Sequence, residues 1–304
     1  MRHNLAMARN AYFVSLHHRI GLDVNIPALA ELTPQRRELI RGAAGVLLPR
    51  YFSPGRCRTV ASLTDNIFPR IEARYHYRGK TDQIRLMRRL GLPHPESRLF
   101  QSSAEAKRHT EEHGPALELP CVLKGDRGAG GSQVFPVRTQ WQLLDRLRRL
   151  RDDEPILLQR WVETGGKDLR VVLVGGEVRS YFRVGVDGFY NNVAQGAEIE
   201  QEAYPELQRR GQNLAREAAD AAGIDLAAFD IAFPGDTEPV LLEINFLFGT
   251  KGLGGKAGYN RLFGLALARW MQGVLARKQA THPDKSSQDS PASRPTSDHS
   301  QETS

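Results

Sequence analysis

The stretch AAFDIAFPGDTEPVLLEINF, residues 227–246, decides how this chain of 304 residues is read. Two apolar runs flank the turn residues Pro234 to Glu238, which predicts a β-hairpin. Centring the turn between Asp236 and Thr237 sets Asp230 opposite Glu243. The strand period of two then places Asn245 on the same face as Glu243. That face also receives Ala228, Ala232, Leu241 and Leu247, while Phe229, Ile231, Phe233, Leu242, Ile244 and Phe246 take the other, so both sides read as buried. Directly opposed carboxylates repel, and unpaired acids in such a place are very costly. A hard divalent cation resolves the conflict, since two carboxylates and an amide oxygen suit Mg²⁺. Pairing of each acid with an arginine, or a register shifted by one residue, resolves it equally well.

Working outward, VLKGDRGAGGSQVF (residues 122–135) sets Lys124 at a strand end, followed by Gly125, Gly128, Gly130 and Gly131. Such a segment is either a flap whose backbone N–H groups approach phosphate oxygens or a plain surface hairpin loop. In QRWVETGGKDLRVVLVGG (159–176), Asp168 and Arg170 share one strand face. They form an exposed ion pair, or in a nucleotide site they hold a ribose hydroxyl and a transferring phosphoryl group. Arg183 and Asn192, on and just after the next strand, can reach the same cleft.

The surrounding sequence supports an α/β chain of about two domains. Residues 1–75 alternate apolar runs with the amphipathic segment TPQRRELIRGAA and form a small α/β unit. KTDQIRLMRRL (80–90) predicts a helix stopped by Gly91. Strands follow at 120–124, 132–137, 155–162, 168–174 and 177–185, with Gly175 and Gly176 as a hairpin turn. A helix closed by Gly223 precedes the 227–246 hairpin, and a last helix runs from about Tyr259 to Arg277. Residues 279–304 are Ser, Asp, Pro, Thr and Gln rich and are expected to be a disordered tail.

Lys and Arg number 42 against 35 Asp and Glu, a net charge of +7, but the arginines alternate with leucines at helical spacing and read as solvated helix faces rather than a nucleic-acid surface. Cys57 and Cys121 are isolated and indicate neither a disulfide framework nor a zinc site. No apolar run approaches the roughly 18 residues of a membrane span, so a cytoplasmic protein without membrane association is expected. GLGGKA (252–257) matches a dinucleotide fingerprint formally but follows no strand directly and lacks the later acid.

Taken in order, the helix opened by Lys80, VLKGDRGAGG, LLQRWVETGGKDLRVVLVGG, FYNNVAQG and FDIAFPGDTEPVLLEINFLFGTKGL resemble the ATP-grasp superfamily, in particular its RimK-like carboxylate–amine ligases. There is a weaker likeness to the short ATP-grasp proteins of the so-called GAK system. The resemblance implies an α/β (α+β) ATP-grasp fold, two subdomains clasping a nucleotide behind a short α/β domain. The expected boundaries are 1–77, 78–278 and 279–304. It implies ATP and Mg²⁺ as cofactors, with two ions expected and Mn²⁺ as a substitute. By motif, Lys80 and Lys124 resemble the phosphate-binding lysines, with Gly128 and Gly131 in the flap and Asn192 beside the site. Gln159, Arg160, Trp161 and Val162 are similar to the adenine hinge, and Asp168 to the ribose-binding acid. Arg170 and Arg183 resemble the basic residues near the transferred groups. Asp230, Glu243 and Asn245 match the family's magnesium ligands.

The activity implied is ATP-dependent amide formation between a carboxylate substrate and an amine acceptor, through an acyl phosphate. The acceptor would be an amino acid, a peptide or a protein terminus. Arg160 stands where the hinge commonly has an acid, Gln133 where the flap often has a glycine, and Gln195 where a basic residue is usual. The alternative is an ATP-binding regulatory or interaction protein on the same fold that has lost ligation.

Overall fold

A computed structural model describes residues 11–127, 133–185 and 197–281. The chain opens with Phe13–Ser15 (β1), Val24–Asn25 (β2), Pro34–Gly42 (α1), Gly45–Leu47 (β3), Pro54–Ala61 (α2) and Ile67–Phe68 (β4). Both helices begin the same way. Thr33 and Ser53 accept a hydrogen bond from the N–H of the third helical residue, Arg36 and Arg56, and Pro34 and Pro54 occupy the first helical position, where a missing N–H costs nothing. The four strands form a parallel sheet in the order β2-β1-β3-β4, with Val14, Val46 and Ile67 packed against Ile40 and Val60.

Ala73–His76 (α3) and Lys80–Arg89 (α4) lead into the second sheet, and Gly91 ends this segment in the left-handed region at φ +66°. The sheet comprises Ser97–Phe100 (β5), Cys121–Gly125 (β6), Val134–Val137 (β7) and Ile156–Arg160 (β8), antiparallel in the order β5-β8-β6-β7. Ser103–His113 (α5) and Gln140–Arg149 (α6) cover it, burying Ala106, Leu143 and Leu147 against Cys121, Leu123 and Leu158. The sequence SAEAKRHTEEH of α5 shows almost no apolar periodicity because only Ser103, Ala106 and Thr110 turn inward.

The largest sheet is Lys167–Val174 (β9), Glu177–Val184 (β10), Glu198–Glu200 (β11), Leu226–Ala232 (β12) and Val240–Asn245 (β13), in the order β11-β10-β9-β12-β13. Gly175 supplies the positive φ of the turn between β9 and β10. Pro205–Ala222 (α7) packs Leu214, Ala215 and Ala218 on one face, against Leu169, Val171, Phe229 and Ile231. Gly255–Thr281 (α8) packs Leu262, Phe263 and Ala266 on the other, against Val172, Val174 and Ala228. Trp270 of α8 also reaches the front sheet, with its ring 5.6 Å from Phe13 and 5.5 Å from Phe68. Gln279, Ala280 and Thr281, expected in the tail, are therefore helical, because the helix that ties the front sheet to the large one runs on past Arg277.

The hairpin register corrects one strand-face assignment. Asp230 pairs with Glu243 and Ala228 with Asn245, as expected, but a β-bulge then makes Ile231 face Leu241. Leu241 is thus completely buried among Phe229, Ile231 and Ile244, and Leu242 takes the face of the cleft, the reverse of simple alternation. Leu247, expected to be buried, is 46% exposed beyond the strand end. No helix among the described residues is long and apolar enough to cross a membrane.

Candidate active site

Strand β6 and the hairpin partner β7 present Val122, Lys124 and Val134 to a cleft of about 650 Å³. The end of β8 and the following loop line it with Gln159, Arg160, Trp161, Val162, Glu163 and Thr164, and the large sheet adds Asp168 and Leu242. Valine, tryptophan and leucine walls with a few polar groups suit a flat heterocycle with a polar appendage. The ladder of β8 ends at Arg160, ahead of Trp161 and Val162. The Arg160 guanidinium pairs with Glu96 at 2.5 Å, and its backbone N–H donates to the Glu96 carbonyl at 2.8 Å. All four hinge residues expected from the sequence therefore line one cleft together with Lys124 and Asp168.

At the cleft floor, Lys124 Nζ donates to Gln159 Oε1 at 2.6 Å, and Gln159 Nε2 donates to Ser97 Oγ at 3.2 Å. Burial pushes the Lys124 ammonium down to about 8, with Glu243 acting against the shift and Lys80 reinforcing it.

Cross-strand pairing explains the charged cluster next to it. Arg170 on β9 lies in register with Asp230 on β12, and its Nε and Nη2 each donate to that carboxylate at 2.8 Å. Arg183 on β10 lies in register with Asp168 on β9 and donates to it at 2.7 and 2.6 Å. Its Nη2 is also 3.2 Å from Asp230 Oδ2. Burial opposes the Asp230 charge, but Arg170 and Arg183 outweigh it and hold the carboxyl down at about 2. The same two acids raise the Arg183 guanidinium against the effect of its burial. Asp168 and Arg170 share a strand face as expected, yet each pairs across the sheet, so the exposed mutual ion pair is not formed.

Asn245 Nδ2 donates to Asp230 Oδ2 at 2.9 Å, and Lys80 Nζ lies 3.4 Å from Glu243 Oε1. The two opposed acids are thus neutralised separately, Asp230 by arginines and Glu243 by a lysine. No group of three or more His, Cys, Asp and Glu among the described residues gathers as a metal site. The donor set Asp230, Glu243 and Asn245 nevertheless fits Mg²⁺ chemically. All three offer hard oxygens on one face of the β12–β13 pair, and Mg²⁺ takes only one or two protein carboxylates and completes its shell with water and phosphate oxygens. Gly128, Gly131 and Asn192, also expected at this site, lie outside the described residues.

Gln83 and Asp126 belong to the site's frame and were not expected. Ile244 N–H donates to Gln83 Oε1 at 2.8 Å, and Gln83 Nε2 donates to the Ile244 carbonyl at 2.9 Å. Asp126 Oδ1 accepts from the Thr81 N–H at 2.9 Å and from Thr81 Oγ1 at 2.7 Å. Only the polar residues at buried helix positions hinted at this: Thr81 and Gln83 face inward where leucine would be ordinary. On the far side of Glu243, Arg74, Arg78, Lys80 and Arg127 line a second cavity with Asn245, Phe246 and Leu247.

Residues 77–265 match the RimK-like ATP-grasp domain, and the chain belongs to that family. N-acetylaspartylglutamate synthase A of Homo sapiens is 32% identical over 158 residues, 51% of this chain and 39% of that protein. The chain therefore spans well under half the length of that curated relative. The fold is the ATP-grasp fold. A RimK domain ATP-grasp protein from Sphaerobacter thermophilus DSM 20745 superposes with a TM-score of 0.52 at 16% identity, covering 88% of this chain and 98% of that one. The ADP complex of purK, an N5-carboxyaminoimidazole ribonucleotide synthetase, superposes with a TM-score of 0.55 at 16% identity, over 79% and 64% of the two chains.

Proposed function

We propose that this protein is an ATP- and Mg²⁺-dependent carboxylate–amine ligase. The observation that carries this reading is the meeting of Lys80, Lys124, Arg170 and Arg183 with Asp168, Asp230 and Glu243 beside an apolar cleft. Four cations against three carboxylates leave an excess positive charge that a polyphosphate would satisfy. In this reading the adenine occupies the hinge cleft, Asp168 meets the ribose, and Lys124 and Lys80 take phosphate oxygens. Asp230, Glu243 and Asn245 would hold Mg²⁺, which supplies charge neutralisation at the transferring phosphoryl group.

The chemistry then needs positioning rather than a protein nucleophile. A substrate carboxylate oxygen bonds to the γ-phosphorus as the bond to ADP breaks, giving an acyl phosphate. An amine nitrogen next attacks the acyl carbon, phosphate leaves, and the amine loses its proton. Arg170 and Arg183, with planar forks of donors, stabilise the charge that builds up on the transferring group. The cavity lined by Arg74, Arg78 and Arg127 supports an anionic substrate on the far side of the metal ligands. Residues 1–77 would act as a front unit that borders this substrate, and residues 78–278 as the nucleotide-binding unit.

The test is an ADP-release screen of amino acids, short peptides and acidic protein tails, with product mass measured. Amide product with stoichiometric ADP supports the ligase. The bidentate hold of Arg170 on Asp230 favours a second reading, a nucleotide-binding regulator without ligation. Tight nucleotide binding with no ADP release for any acceptor would select that reading.

A further inference from the structure

We propose that α4 is a strut that fixes the phosphate-binding lysine against the metal-binding strand, with Gln83 and Asp126 as its positioning residues. The inference rests on the reading of Glu243 and Asn245 as metal ligands and adds residues that neither motif nor chemistry assigns.

Gln83, Thr81 and Asp126 are 5%, 3% and 7% exposed, and polar groups so placed persist only when hydrogen-bonded. At one end of α4, the Asp126 carboxylate accepts from the Thr81 N–H and hydroxyl, and its carbonyl accepts from the Lys80 N–H at 3.2 Å. The Asp126 N–H donates in turn to the Pro155 carbonyl at 3.0 Å, so the start of α4 is fastened to the smaller antiparallel sheet. The fit is close. A Cβ at position 79 would stand 2.2 Å from Asp126 Oδ2, which leaves room there for glycine only.

One turn along the helix, Gln83 is fastened to the larger sheet. Strand β13 is the outermost of its five, so the outward N–H and C=O of Ile244 have no strand partner. The Gln83 amide takes both, acting as a one-residue strand, and also donates to the Tyr77 carbonyl at 3.3 Å. Ile244 sits between Glu243 and Asn245, whose side chains point to the opposite face, toward Asp230. Lys80, three residues before Gln83, reaches Glu243 at 3.4 Å. A single turn of helix therefore sets the separation of Lys80 from Glu243 and spans both sheets.

The test measures binding of a non-hydrolysable ATP analogue to the full chain by calorimetry, once in EDTA and once in saturating Mn²⁺. Gln83→Leu removes both bonds to Ile244, and Gln83→Glu keeps the acceptor but loses the donor. For both variants the expected result is at least a tenfold loss of affinity in Mn²⁺ and less than a threefold loss in EDTA. Asp126→Ala, which frees the start of α4 and hence Lys80, should lose affinity in both media, and Asp126→Asn, which keeps the Oδ1 acceptor, should restore it. Equal losses in Mn²⁺ and EDTA for the Gln83 variants, or a lower melting temperature with unchanged binding, would overturn the strut. If the unaltered protein binds the analogue equally well in both media, the metal reading fails before any variant is made, and the strut fails with it.

Discussion

Asp230 and Arg170 face each other across β12 and β9 and share two hydrogen bonds of 2.8 Å, in a place where both side chains are nearly buried. The pair fixes the carboxylate that the sequence singles out and keeps it ionised without a metal. Two parallel bonds from a planar fork give it one geometry, which a point charge could not impose.

Arg170→Lys should therefore lower turnover by about 10²-fold or more while changing nucleotide affinity much less, because the fork matters most where charge develops. Steady-state ADP release against calorimetric affinity checks this, and equal losses in both would mark a contact made already with bound nucleotide. Arg170→Ala should also destabilise the fold by about 3–5 kcal/mol, as expected when one partner of a buried ion pair is removed.

Glu243→Gln should abolish turnover and weaken binding of the Mg²⁺ nucleotide complex. It removes the charge opposite Asp230 while keeping the shape. Normal turnover and normal Mg²⁺ dependence in this variant would dismiss the metal assignment.

Lys124 gives a pH dependence with a definite sign. Its folded-state value of about 8 lies below the ordinary lysine value of 10.5, so between these limits the unfolded chain binds more protons than the folded one. Stability gains from this group as pH rises through that window. Nucleotide affinity should do the opposite and fall above about pH 8, because the neutral amine attracts phosphate less. A Lys124→Met variant should lose this slope, and calorimetry between pH 7 and 9.5 measures both.

The bulge in β13 separates two adjacent leucines. Leu241→Ala should cost about 2–5 kcal/mol of stability, since the side chain is completely buried among Phe229, Ile231 and Ile244. Leu242→Ala should leave the melting temperature nearly unchanged and weaken nucleotide binding, because Leu242 faces the hinge cleft.

Truncation after Thr281 should leave melting temperature and ADP release unchanged. Val274→Asp should unfold the contact between α8 and the front sheet, since Val274 is 1% exposed beside Phe13 and Ala44. Thermal melts of the two proteins check this pair of outcomes.

Much of this molecule is local and was legible in the sequence. The hairpin over residues 227–246 and the shared face of Glu243 and Asn245 follow from one turn and the period of two along a strand, whereas the pairs beside the turn are one residue off the expected register and the bulge after Asp230 restores its pairing with Glu243. The start of α4 at Lys80, its stop at Gly91 and the closure of α7 by Gly223 follow from residues adjacent to those points. Other features depend on partners distant along the chain. Gln83 meets Ile244 across 161 residues and Thr81 meets Asp126 across 45, and the local sequence offers only a polar residue at an inward helix position, without naming its partner. The bulge after Asp230 exchanges the roles of Leu241 and Leu242 because packing under α7 favours one leucine over the other, a choice that alternation cannot express. Local backbone preference and side-chain periodicity thus placed the acids on one face. Only the assembled sheets decided which cation each acid meets, because a charge buried in a fold is held by whatever the tertiary packing brings within hydrogen-bond reach.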